Sequence, residues 1–292
     1  MAKQIKVIYI LGGGHSGSTL LDKILSTNPA IVSGGEISFY CIYRDKVEHP
    51  KINRLTRHRC SCQKDLEKCP YWGKIVTADN GRLKIKKNYT LGENFNVIVE
   101  LYRRKKIKKH EVTNSNYDLF KLMLDVKPAQ YILDSSKDPR RLLDLYHDPR
   151  IKLFVIHLIR DGRSYAYSYQ KPVRKKIGVK QYCYLRSLVE WIIINTIAIR
   201  QIKKLDAPAV TINYETFCRQ PNQEIKKIEK LTNLKFDVNK HNPEHHSISG
   251  NYKTLEMNKP IKLVEKWKNK TPWPKKLMGT IILFPFRGWL DK

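Results

Sequence analysis

The apolar positions of the chain fall into short unbroken runs separated by longer stretches with helical spacing. Lys6 to Leu11 (KVIYIL) is almost wholly β-branched and aromatic, the profile of a strand buried on both faces. Ile31–Ser33, Tyr131–Asp134 (YILD), Lys152–Leu158 (KLFVIHL) and Pro208–Asn213 (PAVTIN) read the same way. A glycine run follows the first strand, and then Leu20, Leu21, Ile24 and Leu25 mark a helix over Thr19–Ser26 that Asn28-Pro29 ends. Helical patterns also cover about 93–109, 115–126, 138–147 and 221–232. The longest, from about Lys180 to Leu205, includes Leu185, Leu188, Val189, Ile192, Ile193 and Ile197. Strands alternating with helices predict an α/β fold, a central parallel sheet with helices on both faces. The stretch from about Arg44 to Leu91 breaks the alternation and reads as an insertion or lid within one domain spanning 1–292.

Composition narrows this picture only in part. The chain has 292 residues, 41% hydrophobic and 28% charged, as expected of a globular domain with a sizeable core. Lys+Arg is 56 against Asp+Glu 27, a formal charge of +29. Such a surplus favours anionic partners, although lysine spread along the whole chain is also what a lysine-rich proteome gives. No apolar run approaches the roughly 18 residues of a membrane span. The first apolar run is too short for a signal-peptide core, and the six cysteines do not suggest a disulfide framework. These features point to a cytoplasmic protein, with Ile281–Phe286 a packed terminal segment rather than an anchor.

The loop GGGHSGST, Gly12 to Thr19, carries the first chemistry. Gly12 and Gly17 are spaced as in the phosphate-binding P-loop, where glycines let backbone N–H groups reach phosphate oxygens and the following helix adds its positive end. Nucleoside triphosphate enzymes need a lysine where this chain has Ser18. The backbone cradle is present without the triphosphate apparatus; a ligand-free tight turn is the alternative.

A second anion site is suggested by LFVIHLIRDGRSYAYS. Arg160 ends an apolar strand, Asp161-Gly162 turns the chain, and Ser168 lies in the next helix. A guanidinium fork and a hydroxyl suit a phosphate dianion, and ligands of open α/β sheets sit at the carboxyl ends of strands. An ion pair of Arg160 with Asp161 or Asp134, and a Ser168 without ligand, are the competing readings.

Together these segments resemble sulfotransferases that use 3′-phosphoadenosine 5′-phosphosulfate (PAPS), in the branch with carbohydrate and tyrosylprotein sulfotransferases. HSGST (His15–Thr19) resembles the family's 5′-phosphosulfate loop and RDGRSYAYS (Arg160–Ser168) its 3′-phosphate segment. INYETFCRQP, with Tyr214, and HSISGN, ending in Gly250 and Asn251, resemble two further elements beside the nucleotide. The matches span roughly residues 5 to 255. The resemblance implies a P-loop-type sulfotransferase domain, PAPS as donor, and adenosine 3′,5′-bisphosphate as product. It implies that Gly14, His15, Ser16, Gly17, Ser18, Thr19, Arg160, Ser168, Tyr214, Gly250 and Asn251 bind the nucleotide. Glu36 stands where the branch has its catalytic base; the alternative is a carboxylate capping the helix ISFYCIY. His15 replaces the family's usual Arg or Lys, which implies a weaker, pH-dependent cation or the help of another. Lys137, in YILDSSKDPRRL, is the candidate, against a solvated lysine at a helix start. Ser135 or Ser136 is expected to cap the helix beginning at Asp138-Pro139.

No metal is assigned to this site. Cys60, Cys62 and Cys69 could bind zinc with His58 as fourth ligand, but C-x-C is a less usual spacing, and a structural turn above the active site is the competing reading. The basic run Tyr102–His110 is either a solvated helix face or a contact for an anionic acceptor. The expected partner is therefore a hydroxyl or amine acceptor, such as a carbohydrate, glycolipid or small metabolite, with association at a membrane surface allowed and nucleic acid not expected. Two rival functions remain, a P-loop small-molecule kinase and a non-enzymatic basic protein binding glycan or nucleic acid.

Overall fold

The computed structural model describes residues 4–48, 58–85, 114–171, 181–240, 242, 245–250 and 261–289. Five strands form one parallel sheet: β1 (Ile5–Gly12), β2 (Ile31–Gly35), β3 (Tyr131–Lys137), β4 (Ile151–Ile159) and β5 (Ala209–Asn213). Their spatial order is β2-β3-β1-β4-β5, so β1 lies at the centre between β3 and β4. Both faces of β1 are covered, and alternate residues serve opposite sides. Val7, Tyr9 and Leu11 pack with Phe120, Met123, Leu142 and Ile197, whereas Ile8 and Ile10 pack with Leu21, Ile24, Leu25 and Ile228. This two-sided burial explains why the strands read as continuous apolar runs rather than as alternating ones.

The helices expected from spacing are present as Ser18–Leu25, Asn114–Val126, Pro139–Tyr146, Tyr184–Lys204 and Pro221–Thr232. The helix expected at about 93–109, with the basic run Tyr102–His110, lies outside the described residues. Two strand ends differ from expectation. β2 continues through Gly34-Gly35, and β3 continues through Ser135 and Ser136 to Lys137. Neither serine caps the next helix: Asp138 does, accepting from the Arg140 and Arg141 amides, with Pro139 in the first helical turn. Ser136 Oγ instead donates to Asp134, and Ser136 Oγ accepts from the Ser38 amide.

Residues 58–85 of the expected insertion pack against the β1 face, with Cys60, Leu66, Cys69, Trp72 and Ile75 all buried. Arg44 and Tyr40 both donate to the buried Asp79 carboxylate and tie the two ends of this region together. Near the C-terminus, Leu283 is buried and Ile282 and Phe286 pack with Leu188 and Trp191, but Ile281 and Phe284 are exposed. That segment is therefore packed on one side only. Among the described residues no helix is long and apolar enough to cross a membrane.

Candidate active site at the strand ends

The carboxyl ends of β1, β2, β3 and β4 carry nearly every residue singled out from the sequence. The loop after β1 depends on glycine. Gly17 has φ 98°, and a Cβ there would lie 2.4 Å from the Tyr214 ring. Helix Ser18–Leu25 starts at Gly17 with no side-chain cap and no acidic residue in its first turn. Nothing in that turn offsets the positive end of the helix, which leaves it suited to an anion. Ser16 is buried, and its Oγ has no hydrogen-bond partner among the described residues. A buried hydroxyl left in this state costs free energy, and a ligand oxygen would relieve it. His15 is exposed, with φ 59°, and its ring meets Tyr169 edge-on at 5.0 Å.

Arg160 joins this loop to the next strand. Its Nη1 donates to the His15 carbonyl at 2.7 Å and its Nη2 to the Val264 carbonyl at 3.0 Å. The guanidinium lies over the Tyr214 ring at 4.3 Å, and Nε is buried without a partner. The ion pairs considered for Arg160 go elsewhere: Asp161 pairs with Arg163 and Asp134 with Arg141. Among the described residues no carboxylate lies within ion-pair distance of Arg160. Ser168 is placed less simply. It is buried, and its Oγ donates to the Ser164 carbonyl of its own helix at 2.9 Å.

Glu36 and Lys137 meet at the ends of β2 and β3, with Nζ to Oε1 at 2.7 Å. Glu36 precedes a short helix but makes no capping bond with its side chain, so the capping reading gives way to the ion pair. Lys137 also donates to the Ser135 carbonyl at 2.9 Å. An ammonium has three N–H groups, so one is left over. Lys137 is no solvated helix-start lysine; its side chain is mostly buried and its φ is 69°. Such left-handed backbone at a bulky residue costs roughly 1–3 kcal/mol and concentrates at functional sites.

The overall fold is similar to that of solved proteins. Over 98% of this chain and 96% of the other, it superposes on the sulfotransferase domain of the Synechococcus PCC 7002 olefin synthase, with TM-score 0.56 and 17% identity. The chain has the sulfotransferase fold. Weaker likenesses are to sulfotransferase STF9 of Mycobacterium avium (TM-score 0.49, 12% identity, 99% of this chain and 78% of that one) and to mouse sulfotransferase SULT7A1 complexed with PAP (0.49, 9%, 97% and 84%). No family model and no curated protein sequence matches the chain.

Within this sulfotransferase fold, the segment before Gly250 is laced to the end of β2. The Ile248 amide donates to Gly34 and its carbonyl accepts from the Glu36 amide, at 3.0 and 2.9 Å. His245 Nε2 meets Asp22 Oδ1 at 2.9 Å, and Asp22 also accepts from Ser33. Gly250 follows with φ 103°; Asn251 lies outside the described residues. Sequence reasoning missed three neighbours of the site. Tyr169 stands beside His15 and would meet a Cβ on Gly14, while Tyr165 does the same at Gly13. Their helical spacing in SYAYSY was visible, but not the side they face. Val264, whose carbonyl holds Arg160, carries no signal, because any residue supplies a carbonyl.

The thiol cluster of this sulfotransferase fold also differs from expectation. His58 turns away from it, with Nε2 bonded to the Val47 carbonyl at 2.9 Å and its ring against Tyr43. The histidine beside Cys60, Cys62 and Cys69 is His246. The hydrogen bond from Cys60, followed by that from His246, pulls the Cys69 thiol well down. The same bond to Cys69, with burial, pushes Cys60 up.

Proposed function

We propose that the protein is a sulfotransferase that moves a sulfonate group from PAPS to a hydroxyl acceptor. The observation that supports this reading is the bond from Arg160 to the His15 carbonyl, which brings the guanidinium at the end of β4 to the loop after β1. The buried, unpartnered Ser16 Oγ and Arg160 Nε fit a doubly phosphorylated nucleotide there. Amides of Gly14 to Thr19 would hold the 5′-phosphate. Arg160, backed by Tyr214, would hold the 3′-phosphate, with Ser168 joining once its hydroxyl turns from Ser164. When bound, PAPS supplies a sulfonate on a phosphate leaving group.

Glu36 takes the proton of the acceptor hydroxyl as that oxygen attacks sulfur. Its carboxylate is held for this by Lys137. The remaining N–H of Lys137, with His15, offsets the charge that collects on the leaving phosphate. Ser18, where a kinase has lysine, disfavours magnesium-dependent triphosphate chemistry. Thermal shift distinguishes the two: adenosine 3′,5′-bisphosphate should stabilise this protein, whereas stabilisation by ADP with magnesium alone would remove the sulfotransferase reading.

Association with an anionic membrane surface, where a glycolipid acceptor would lie, is part of this proposal. Trp273, Leu277, Ile281 and Phe284 are exposed along the helix Trp273–Leu283 and its continuation, with Lys275 and Arg287 exposed among them. Apolar and basic side chains together are the make-up of a helix lying at an anionic membrane surface. Flotation with phosphatidylserine vesicles at physiological salt tests this, and protein left wholly at the bottom of the gradient counts against it.

A further inference from the structure

Cys60, Cys62, Cys69 and His246 converge outside the donor cleft, their four candidate ligand atoms all within 4.8 Å of one another. His246 Nδ1 lies 3.7 Å from Cys60 Sγ and 3.4 Å from Cys69 Sγ. A tetrahedral zinc ion, with Zn–S about 2.3 Å and Zn–N about 2.0–2.1 Å, sets sulfur and nitrogen ligands about 3.5 Å apart and two sulfurs about 3.8 Å apart. The two observed separations straddle the first figure, and the 4.8 Å limit leaves room for the second. Three thiols and an imidazole are also the soft donor set that selects zinc over magnesium or calcium.

The surroundings already hold these donors in place. Cys60 and Cys62 sit on a tight turn in which the Gln63 amide returns to Cys60 and Gln63 takes φ 67°. The Trp72 amide donates to Cys69 Sγ at 3.4 Å, and Trp72 Nε1 donates to the His246 carbonyl at 2.9 Å. The His246 ring stacks on Tyr71. Such outer contacts orient metal ligands.

We propose that Cys60, Cys62, Cys69 and His246 form a structural zinc site that clamps the 245–250 segment to the 58–72 region. Four protein ligands close the coordination sphere, so the ion would hold structure rather than take part in sulfonate transfer. What it holds matters to the strand ends. Ser61 and Ser247 exchange hydrogen bonds across the clamp, and Ile248 bonds on to Gly34 and Glu36. The ion would thus fix the segment that lies against the backbone of Glu36. This proposal stands whether or not the donor is PAPS.

The test is elemental analysis and zinc-edge X-ray absorption on the full chain, purified with any histidine tag removed. The expected result is one zinc per chain after dialysis, with three sulfurs at about 2.3 Å and one nitrogen at about 2.0–2.1 Å. Cys62→Ser and His246→Ala should each lower zinc content at least tenfold. Cys62 is the gentler change, being only partly buried. Zinc below a tenth of an equivalent in the parent protein, a different metal in stoichiometric amount, a Cys60–Cys69 disulfide, or full zinc in both variants would overturn the proposal. If a variant does not fold, the metal count and absorption spectrum of the parent protein decide.

Discussion

The proposed donor site and the thiol cluster are built in opposite ways. The first rests on backbone geometry within one short segment, Gly12 to Thr19, to which Arg160 is brought by the neighbouring strand. The cluster is made of side chains from distant segments, His246 lying 186 and 177 residues from Cys60 and Cys69. Among the described residues the first leaves Ser16 Oγ and Arg160 Nε without partners, whereas Cys60 and Cys69 each meet His246. As proposed, the first is a site for a ligand that comes and goes and the second a permanent tie, which Ile248 links to Gly34 and Glu36.

The contrast can be broken most forcefully at Glu36. Glu36→Gln keeps the shape but removes both the proposed base and the ion pair, and should lower kcat by roughly 10²–10⁴-fold. Nucleotide affinity, measured by calorimetry, should change little; a parallel loss of affinity would mean that Glu36 builds the cleft instead of acting in it. Arg160→Ala should weaken adenosine 3′,5′-bisphosphate by about 100-fold, from the loss of about two charged hydrogen bonds. It should also abolish preference over adenosine 5′-phosphate, and retained discrimination would mean that another group reads the 3′-phosphate.

Gly17→Ala should cost about 2–4 kcal/mol in urea unfolding, since it combines left-handed strain with a collision on Tyr214. Cys62→Ser should have no comparable effect on nucleotide affinity, because the cluster supports the cleft only through backbone. Affinity falling as far as in Arg160→Ala would erase the distinction between the two regions.

The smallest expected effect is a control outside both. His157 is fully buried on β4 against Asn195, and burial lowers its pKa to about 4. Below its ordinary value of about 6.5 the unfolded chain takes up a proton that the folded chain refuses. Stability is therefore lost as pH falls from about 6.5 towards 4. Relative to His157→Gln, the parent should lose about 2 kcal/mol more between pH 7 and pH 5 in urea titrations. Equal slopes would show that the imidazole accepts its proton in place.

Legibility in the sequence followed the range of the interaction. The strands were legible because apolar runs buried on both faces need no partner to be recognised, and the β1 loop because glycine spacing is itself the geometry. The ends of β2 and β3 were not, since Gly34-Gly35 and Ser135-Ser136 look like breakers and caps, whereas the strands run on past them through register shifts, Gly35 pairing with Asp134 and Lys137 with Leu11. The Glu36–Lys137 pair was half legible: each residue could be named, but not their contact, because it depends on β2 and β3 being adjacent.

Periodicity and local spacing specify that this chain forms a parallel α/β sheet with a glycine-rich turn after its first strand. These are short-range properties of backbone and burial. Tertiary packing alone decides that Arg160 reaches the His15 carbonyl, that Lys137 meets Glu36, and that His246 rather than His58 joins the thiols. Strand order and chain return set those meetings, and neither leaves a mark at any fixed spacing along the sequence.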